Sequence, residues 1–185
     1  HAISHLLTRI IELHDKSKFN IYAYSLSEIN DFYTERIRTA VFCFRKIKNL
    51  GDIEIVNIAR DDQLDIAIDL NGYTKDNRMN IFSYRLAPIQ INYLGYPSSL
   101  GSKCYDYILA DKITIPKYNK KFFTEKVIYL PNCHLPHDDT RCQPTTKFSR
   151  EELGLPKNAF VYTCFNKIEK ISRKEFNIWI RLLKK

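Results

Sequence analysis

The sequence predicts an α/β fold with a largely parallel sheet. Segments of helical and strand spacing alternate along the chain, the pattern of strands joined by crossover helices. Hydrophobic residues make up 44% of the 185, enough to bury a core in one or two such units. Only 5 glycines and 7 prolines are present, which excludes a collagenous or disordered chain.

Each element follows from its own spacing. Ile3, Leu6, Leu7, Ile10 and Ile11 recur as on one buried helix face, and residues 15–18 break that pattern. Residues 19–24 read as a strand, 28–39 as a polar helix, 41–47 as a strand and 52–60 as a short helix. Residues 65–70 form a strand that ends at Asn71-Gly72. Helical spacing resumes over 78–85 and must stop before Pro88, whose ring disfavours helix in the residue preceding it. Strands follow at 89–94, 107–110 and 127–130.

Residues 131–147 lack periodicity and are rich in Pro, Asp, Thr and Cys, so they read as a linker or a long surface segment. This divides the chain into a first region, 1–147, and a second, 148–185. In the second, Ser149 and Glu152 have capping-box spacing and open a short helix. Residues 160–165 read as a strand. Ser172 and Glu175 repeat the box before a helix carrying Phe176, Trp179, Ile180 and Leu183 on one face. One strand–helix pair cannot bury both faces of its strand, so the sequence predicts more chain after residue 185, and a further strand before residue 1.

The net charge of +8 favours anionic partners such as nucleotide phosphates, nucleic acid or a membrane surface, yet the basic residues are dispersed and the run at Lys117, Lys120 and Lys121 reads as a solvated loop. No apolar stretch approaches the ~20 residues that span a bilayer, and no secretory leader is visible. Five cysteines, at 43, 104, 133, 142 and 164, include no CxxC pair, which argues against a disulfide framework or a structural zinc site and points to a reducing, cytosolic setting. Cys43 and Cys164 lie in apolar runs and read as buried.

Ligands of open α/β sheets bind off the carboxyl ends of the strands. Three loops there draw notice: Asn71-Gly72-Tyr73-Thr74-Lys75, Leu94-Gly95-Tyr96-Pro97-Ser98-Ser99, and Asn166-Lys167-Ile168-Glu169-Lys170. Gly72 and Gly95 would let a ligand approach the backbone, although both loops also read as ordinary turns. Lys170, between a strand and a capped helix, is placed to hold a diphosphate or is simply a surface lysine. No Walker A or GxGxxG sequence follows any strand. His1 and His5 have metal-ligand spacing but no third ligand, and His134, His137, Asp138 and Asp139 read as a solvated loop. Asp61, Asp62, Asp65 and Asp69 read as structural.

The stretch from Ala67 to Gly101 resembles the central block of the protein O-GlcNAc transferase family (the SPINDLY/O-GlcNAc transferase-like group, glycosyltransferase family 41), with its NGYT turn, RPAPIQ block and LGYPG loop. Further agreement lies at Asp106-Tyr107-Ile108, Glu125-Lys126-Val127, Tyr129-Leu130-Pro131, Leu153-Gly154-Leu155-Pro156, Phe165-Asn166, Lys170 and Trp179. His1 to Leu6 is similar to the family's HPxSHL segment.

That resemblance implies a two-lobed GT-B glycosyltransferase with a Rossmann-like first lobe and, in 148–185, the start of the nucleotide-binding lobe. It implies transfer of N-acetylglucosamine from UDP-GlcNAc to Ser or Thr hydroxyls of an acceptor protein, with inversion, no essential metal and no cofactor beyond the donor. TPR repeats in the parent chain, a cytoplasmic location and no nucleic-acid or membrane partner are implied as well. His1 resembles the active-site histidine and Lys170 the lysine that holds the UDP diphosphate. Leu94, Gly95 and Pro97 resemble the loop around the sugar, Thr74 and Lys75 the cleft-facing end of their strand, and Asn166 and Lys167 the uracil side.

Ser98 stands where the family has Gly and is expected to crowd the sugar loop, while Tyr84 and Leu86 replace a Leu and a Pro in packing positions. The same fold with another nucleotide sugar, or an inert glycosyltransferase-like interaction module, are the alternative readings. A basic nucleic-acid-binding domain lacks a stacking platform, a recognition helix and a basic stripe here.

Overall fold

The computed structural model describes residues 2–141 and 145–184, so Cys142 lies outside the described residues. The chain divides into two compact units, one ending at Arg141 and the other following it.

The first unit begins with α1 (Ala2–Leu13), β1 (Tyr22–Ser25), α2 (Phe32–Ala40), β2 (Cys43–Lys46) and α3 (Asp52–Asp61). It continues with β3 (Ile66–Asp69), β4 (Ile89–Tyr93), β5 (Tyr107–Ala110) and β6 (Lys126–Tyr129). Helix α2 starts later than its spacing predicts because Asp31 caps it, accepting the Thr34 amide at 2.8 Å. The stretch with helical spacing before Pro88 is a 3-10 helix, Met79–Tyr84, ended by Arg85 at φ 59°. Arg85 is held there by its guanidinium, which donates to the Pro88 carbonyl at 2.7 Å and to Asp106 at 2.6 Å.

All strand pairs are parallel: β1 with β2 in one sheet, and β3-β4-β5-β6 in order in the other. The second sheet therefore presents four carboxyl ends along one edge. Alternation puts Ala67 and Asp69 on the face covered by α3, where Ile55, Val56 and Ala59 pack with Ile81, Phe82, Leu86 and Tyr105. On the opposite face α1 lays Ile3, Leu6, Leu7, Ile10 and Ile11 against Tyr93, Leu94, Leu109 and Leu130. The apolar spacing of α1 thus buries the strand ends that carry the loops.

Gln90, fully buried in β4, satisfies its whole amide: it accepts the Leu86 N–H and donates to the carbonyls of Phe82 and Cys104, at 2.6–2.9 Å. Its polarity inside a strand is repaid by stapling three turns together.

The segment before the unit boundary is not a solvated loop, as its composition predicts. Asp138 is buried at 1% exposure against Arg36 of α2, at 2.7 Å, and Arg36 also grips Glu12 of α1. Asp139 pairs with Arg9 at 2.8 Å. Charge partners more than 100 residues apart dock what looked like a linker.

In the second unit, α4 (Arg173–Leu183) is capped by Ser172, which accepts the amides of Lys174 and Glu175 and donates to the Glu175 carboxylate. The 149–152 box closes, Ser149 and Glu152 exchanging hydrogen bonds, but only turns follow. Residues 160–165 form no strand, since no strand lies beside them among the described residues, and Cys164 is exposed rather than buried. Among the described residues no helix is long and apolar enough to cross a membrane.

Candidate functional site

Two of the three predicted loops meet at the carboxyl edge of the four-stranded sheet, because β3 and β4 run in register from Ile66 opposite Ile89 to Asp69 opposite Asn92. The first loop is organised by Asp69. One carboxylate oxygen accepts the amides of Asn71 and Gly72 at 2.9 and 3.0 Å, and the other accepts the Tyr105 hydroxyl at 2.7 Å. Burial, and then this bond to a carboxylate, raise the Tyr105 phenol far above its ordinary range. Tyr105 is thus a fixed donor here, not an acid or base.

Gly72 has φ 54°, and a Cβ on it would lie 2.6 Å from Cβ of Tyr96. The glycine therefore lets the first loop close on the second. Tyr73 and Tyr96 meet edge to face across that contact, and the Tyr73 hydroxyl donates to the Leu100 carbonyl at 2.9 Å. Thr74 is half-buried, its carbonyl accepting the Asn77 side-chain amide at 2.8 Å, and Lys75 is exposed.

The second loop turns at Leu94, which is buried yet has φ 77°, a strained backbone for a residue with a side chain. The Gly95 amide donates back to the Tyr93 carbonyl at 3.0 Å, closing a three-residue turn. A Cβ on Gly95 would sit 2.1 Å from the Leu70 carbonyl oxygen, so no other residue fits. Beneath the loop, fully buried Asn92 donates to the carbonyls of Tyr96 and Ser98 at 3.2 and 3.0 Å. Buried Glu125 closes the far side by accepting the Leu100 amide at 2.7 Å and the Ser99 hydroxyl at 2.8 Å. Pro97 and Ser98 are exposed. Ser98 is not among the positive-φ residues, so its backbone is accommodated without strain.

Beside this loop, buried Asp111 follows β5 and collects four donors: the amides of Ile113, Thr114 and His134, and the His134 ring through Nδ1, at 2.7–2.9 Å. The Thr114 amide first, then the His134 amide and ring, hold its carboxyl well below the usual carboxylate range. Tyr93 donates its hydroxyl to the His134 carbonyl at 2.8 Å.

In the second unit Asn166, Lys167 and Lys170 are exposed around a 3-10 turn, Ile168–Lys170, in which the Lys170 amide donates to the Lys167 carbonyl at 3.0 Å. Among the described residues neither lysine ammonium has an ion-pair partner. His1 lies outside the described residues. His5, which shares metal-ligand spacing with it, stacks edge to face on Tyr33, its Nδ1 buried and without a hydrogen-bond partner among the described residues.

Thr74, Lys75, Leu94, Gly95 and Pro97 are thus gathered at one sheet edge. The supports that shape that edge carry no signal in spacing: Asn92 holds carbonyls of its own loop, while Tyr105 and Glu125 act on the Asp69 carboxylate and the Leu100 amide, 36 and 25 residues away.

The model of Glycosyl transferase family 41 matches residues 1–147. The chain belongs to glycosyl transferase family 41. It is 31% identical over 191 residues to the probable UDP-N-acetylglucosamine–peptide N-acetylglucosaminyltransferase SEC of Arabidopsis thaliana, covering 100% of this chain and 20% of the relative. It is 29% identical to the corresponding probable enzyme SPINDLY of the same plant, covering 99% and 20%. The Caenorhabditis elegans UDP-N-acetylglucosamine–peptide N-acetylglucosaminyltransferase is 36% identical over 140 residues, covering 71% of this chain and 12% of the relative.

A mutant of the Thermobaculum terrenum O-GlcNAc transferase superposes with TM-score 0.85 at 27% identity, over 100% of this chain and 34% of that one. The α/β architecture is accordingly that of a GT-B glycosyltransferase, with the parallel sheet of the first unit as its Rossmann-like lobe. The chain spans 20% of the length of the family 41 relatives from Arabidopsis thaliana.

Proposed function

We propose that the chain serves a family 41 enzyme that transfers N-acetylglucosamine from UDP-GlcNAc to Ser or Thr hydroxyls of proteins, with inversion. The observation that carries this reading is the Leu94–Gly95 turn: a strained backbone and a glycine that admits no Cβ, built at the carboxyl edge of a parallel sheet in a family 41 chain. Strain of about 1–3 kcal/mol is retained where surrounding structure holds it for a purpose, and here α1, Asn92 and Glu125 all hold the loop. Leu94, Gly95 and Pro97 then line the sugar, with Thr74 and Lys75 at the neighbouring strand end.

In the transfer, the acceptor oxygen forms a bond to the anomeric carbon as the bond from that carbon to the diphosphate oxygen breaks. UDP leaves with the electron pair, and the hydroxyl proton passes to a base. Lys170 is the cation for the departing diphosphate. Charge on UDP grows as the bond breaks, so a fixed ammonium lowers the transition state more than the ground state. By the family resemblance His1 serves as the histidine of the reacting centre, and Asn166 and Lys167 serve the uracil side. This chemistry calls for no metal and no cofactor beyond the donor. TPR repeats elsewhere in the parent chain and a cytoplasmic location complete the reading.

The test is a transfer and donor-hydrolysis assay on the full-length protein with UDP-GlcNAc. Lys170→Ala should lower the rate by about 10²–10³-fold with unchanged folding, the cost of removing one charge-stabilising donor. Turnover at the wild-type rate in that variant removes Lys170 from the mechanism. Other UDP-sugars in the same assay decide the donor.

A further inference from the structure

The geometry points to a binding site for a transition-metal dication of the zinc class, formed by Asp111, Cys133 and His134. One ligand atom from each of the three lies within 4.8 Å of the other two. An acidic oxygen, an imidazole nitrogen and a sulfur form the mixed donor set that such ions prefer and that magnesium and calcium do not. The site is separate from the sugar loop but tied to it through the bond from the Tyr93 hydroxyl to the His134 carbonyl.

The ligands are held before any ion arrives. Three backbone amides fix the Asp111 carboxylate, and His134 is fixed through its own amide, its carbonyl and its ring. His134 Nδ1 lies 2.8 Å from Asp111 Oδ2, with the Thr114 hydroxyl 2.9 Å from the same nitrogen. A metal would take the place of the one proton shared by Nδ1 and Oδ2, while the carboxylate keeps its amide donors. Metal bonds of about 2.0 Å at the tetrahedral angle set nitrogen and oxygen about 3.3 Å apart, so this pair opens by roughly 0.5 Å. A bond of about 2.3 Å to sulfur places it about 3.6 Å from the nitrogen, a shift that a rotation of the exposed Cys133 side chain supplies. The ion enters as a dication: the imidazole proton moves from Nδ1 to Nε2 by exchange with solvent, leaving a neutral ring as ligand, and the thiol proton leaves to solvent. Three protein ligands leave a fourth position for water or the Thr114 hydroxyl.

Spacing rules miss this site because Cys133 and His134 are adjacent and their third partner lies 23 residues away. The test is titration of the full-length protein with Co²⁺, whose thiolate complexes show a sulfur-to-metal charge-transfer band. The wild-type protein should develop that band, and Zn²⁺ should displace it. Cys133→Ser should lose the band and bind at least about tenfold more weakly, and His134→Gln should weaken binding to a similar degree. Because the Cys133 side chain is exposed, its replacement leaves the fold intact, which far-ultraviolet circular dichroism checks. A Cys133→Ser protein with the wild-type band and affinity overturns the assignment, as does a folded wild-type protein that shows no band.

Discussion

The two units handle similar apolar sequence in different ways. In the first, residues 66–69 are bracketed by a neighbouring parallel strand and by helix α3, and Ala67 and Ile55 vanish into a common core. In the second, residues 160–165 are just as aromatic and apolar, yet no residue among those described in that unit is buried and Phe165 is 97% exposed. The contrast shows what each kind of element requires. Helix α4 forms because its hydrogen bonds close within itself once Ser172 caps it. A strand has no such self-sufficiency: its amides and carbonyls need a neighbour, and its faces need a cover. The chemistry assigned to the two units differs likewise. In the proposal the first contributes a loop built on glycine backbone, and the second Lys170 on a short 3-10 turn.

The sharpest way to break this comparison is Ile55→Ala, which removes a fully buried side chain from the first unit and should cost about 2–5 kcal/mol in denaturant unfolding. A loss near zero would mean that the α3 contact does not hold the unit together. Gly95→Ala forces a Cβ against the Leu70 carbonyl and should cost about 1–3 kcal/mol, with transfer by the full-length enzyme falling alongside. Unchanged stability there would show that the loop yields easily.

Acid should separate the units. Asp62 is depressed by Arg45, Asp138 and Glu12 by Arg36, and Asp111 by the Thr114 and His134 amides. Each folded pKa lies below the unfolded value of about 4, so the stability it confers is complete above roughly pH 5 and is lost as pH falls. In the second unit only Glu152, held by Ser149, is depressed among the described residues. Hydrogen exchange between pH 5 and pH 3 should therefore quicken first in the first unit, and equal acceleration in both would refute the distinction. The smallest effect is expected for Phe165→Ala, within about 0.5 kcal/mol in this chain, because almost nothing contacts that ring.

Much of this was legible from residue order. The i, i+3, i+4 spacing of Ile3 to Ile11 located α1 and its buried face, and the apolar runs at 65–70, 89–94 and 107–110 located their strands to within a residue. Gly72 and Gly95 marked the loops, since a residue needed for lack of a side chain can be seen in a sequence even when its neighbours cannot. Less was legible where a residue's role depends on a distant partner. Asp138 and His134 looked solvated because their composition is that of a loop, yet Arg36 and Asp111 draw both onto the first unit.

The sequence by itself determined the helix α1 and its apolar face, the strands of the first unit, the family blocks and the positions that only glycine can fill, because periodicity and backbone permissiveness are local properties of the chain. Only the tertiary structure decided which polar groups are buried and paired, which apolar run becomes a strand and which side chains, Asp111, Cys133 and His134 among them, converge. Those outcomes depend on groups brought together from remote parts of the chain, and no local pattern encodes that meeting.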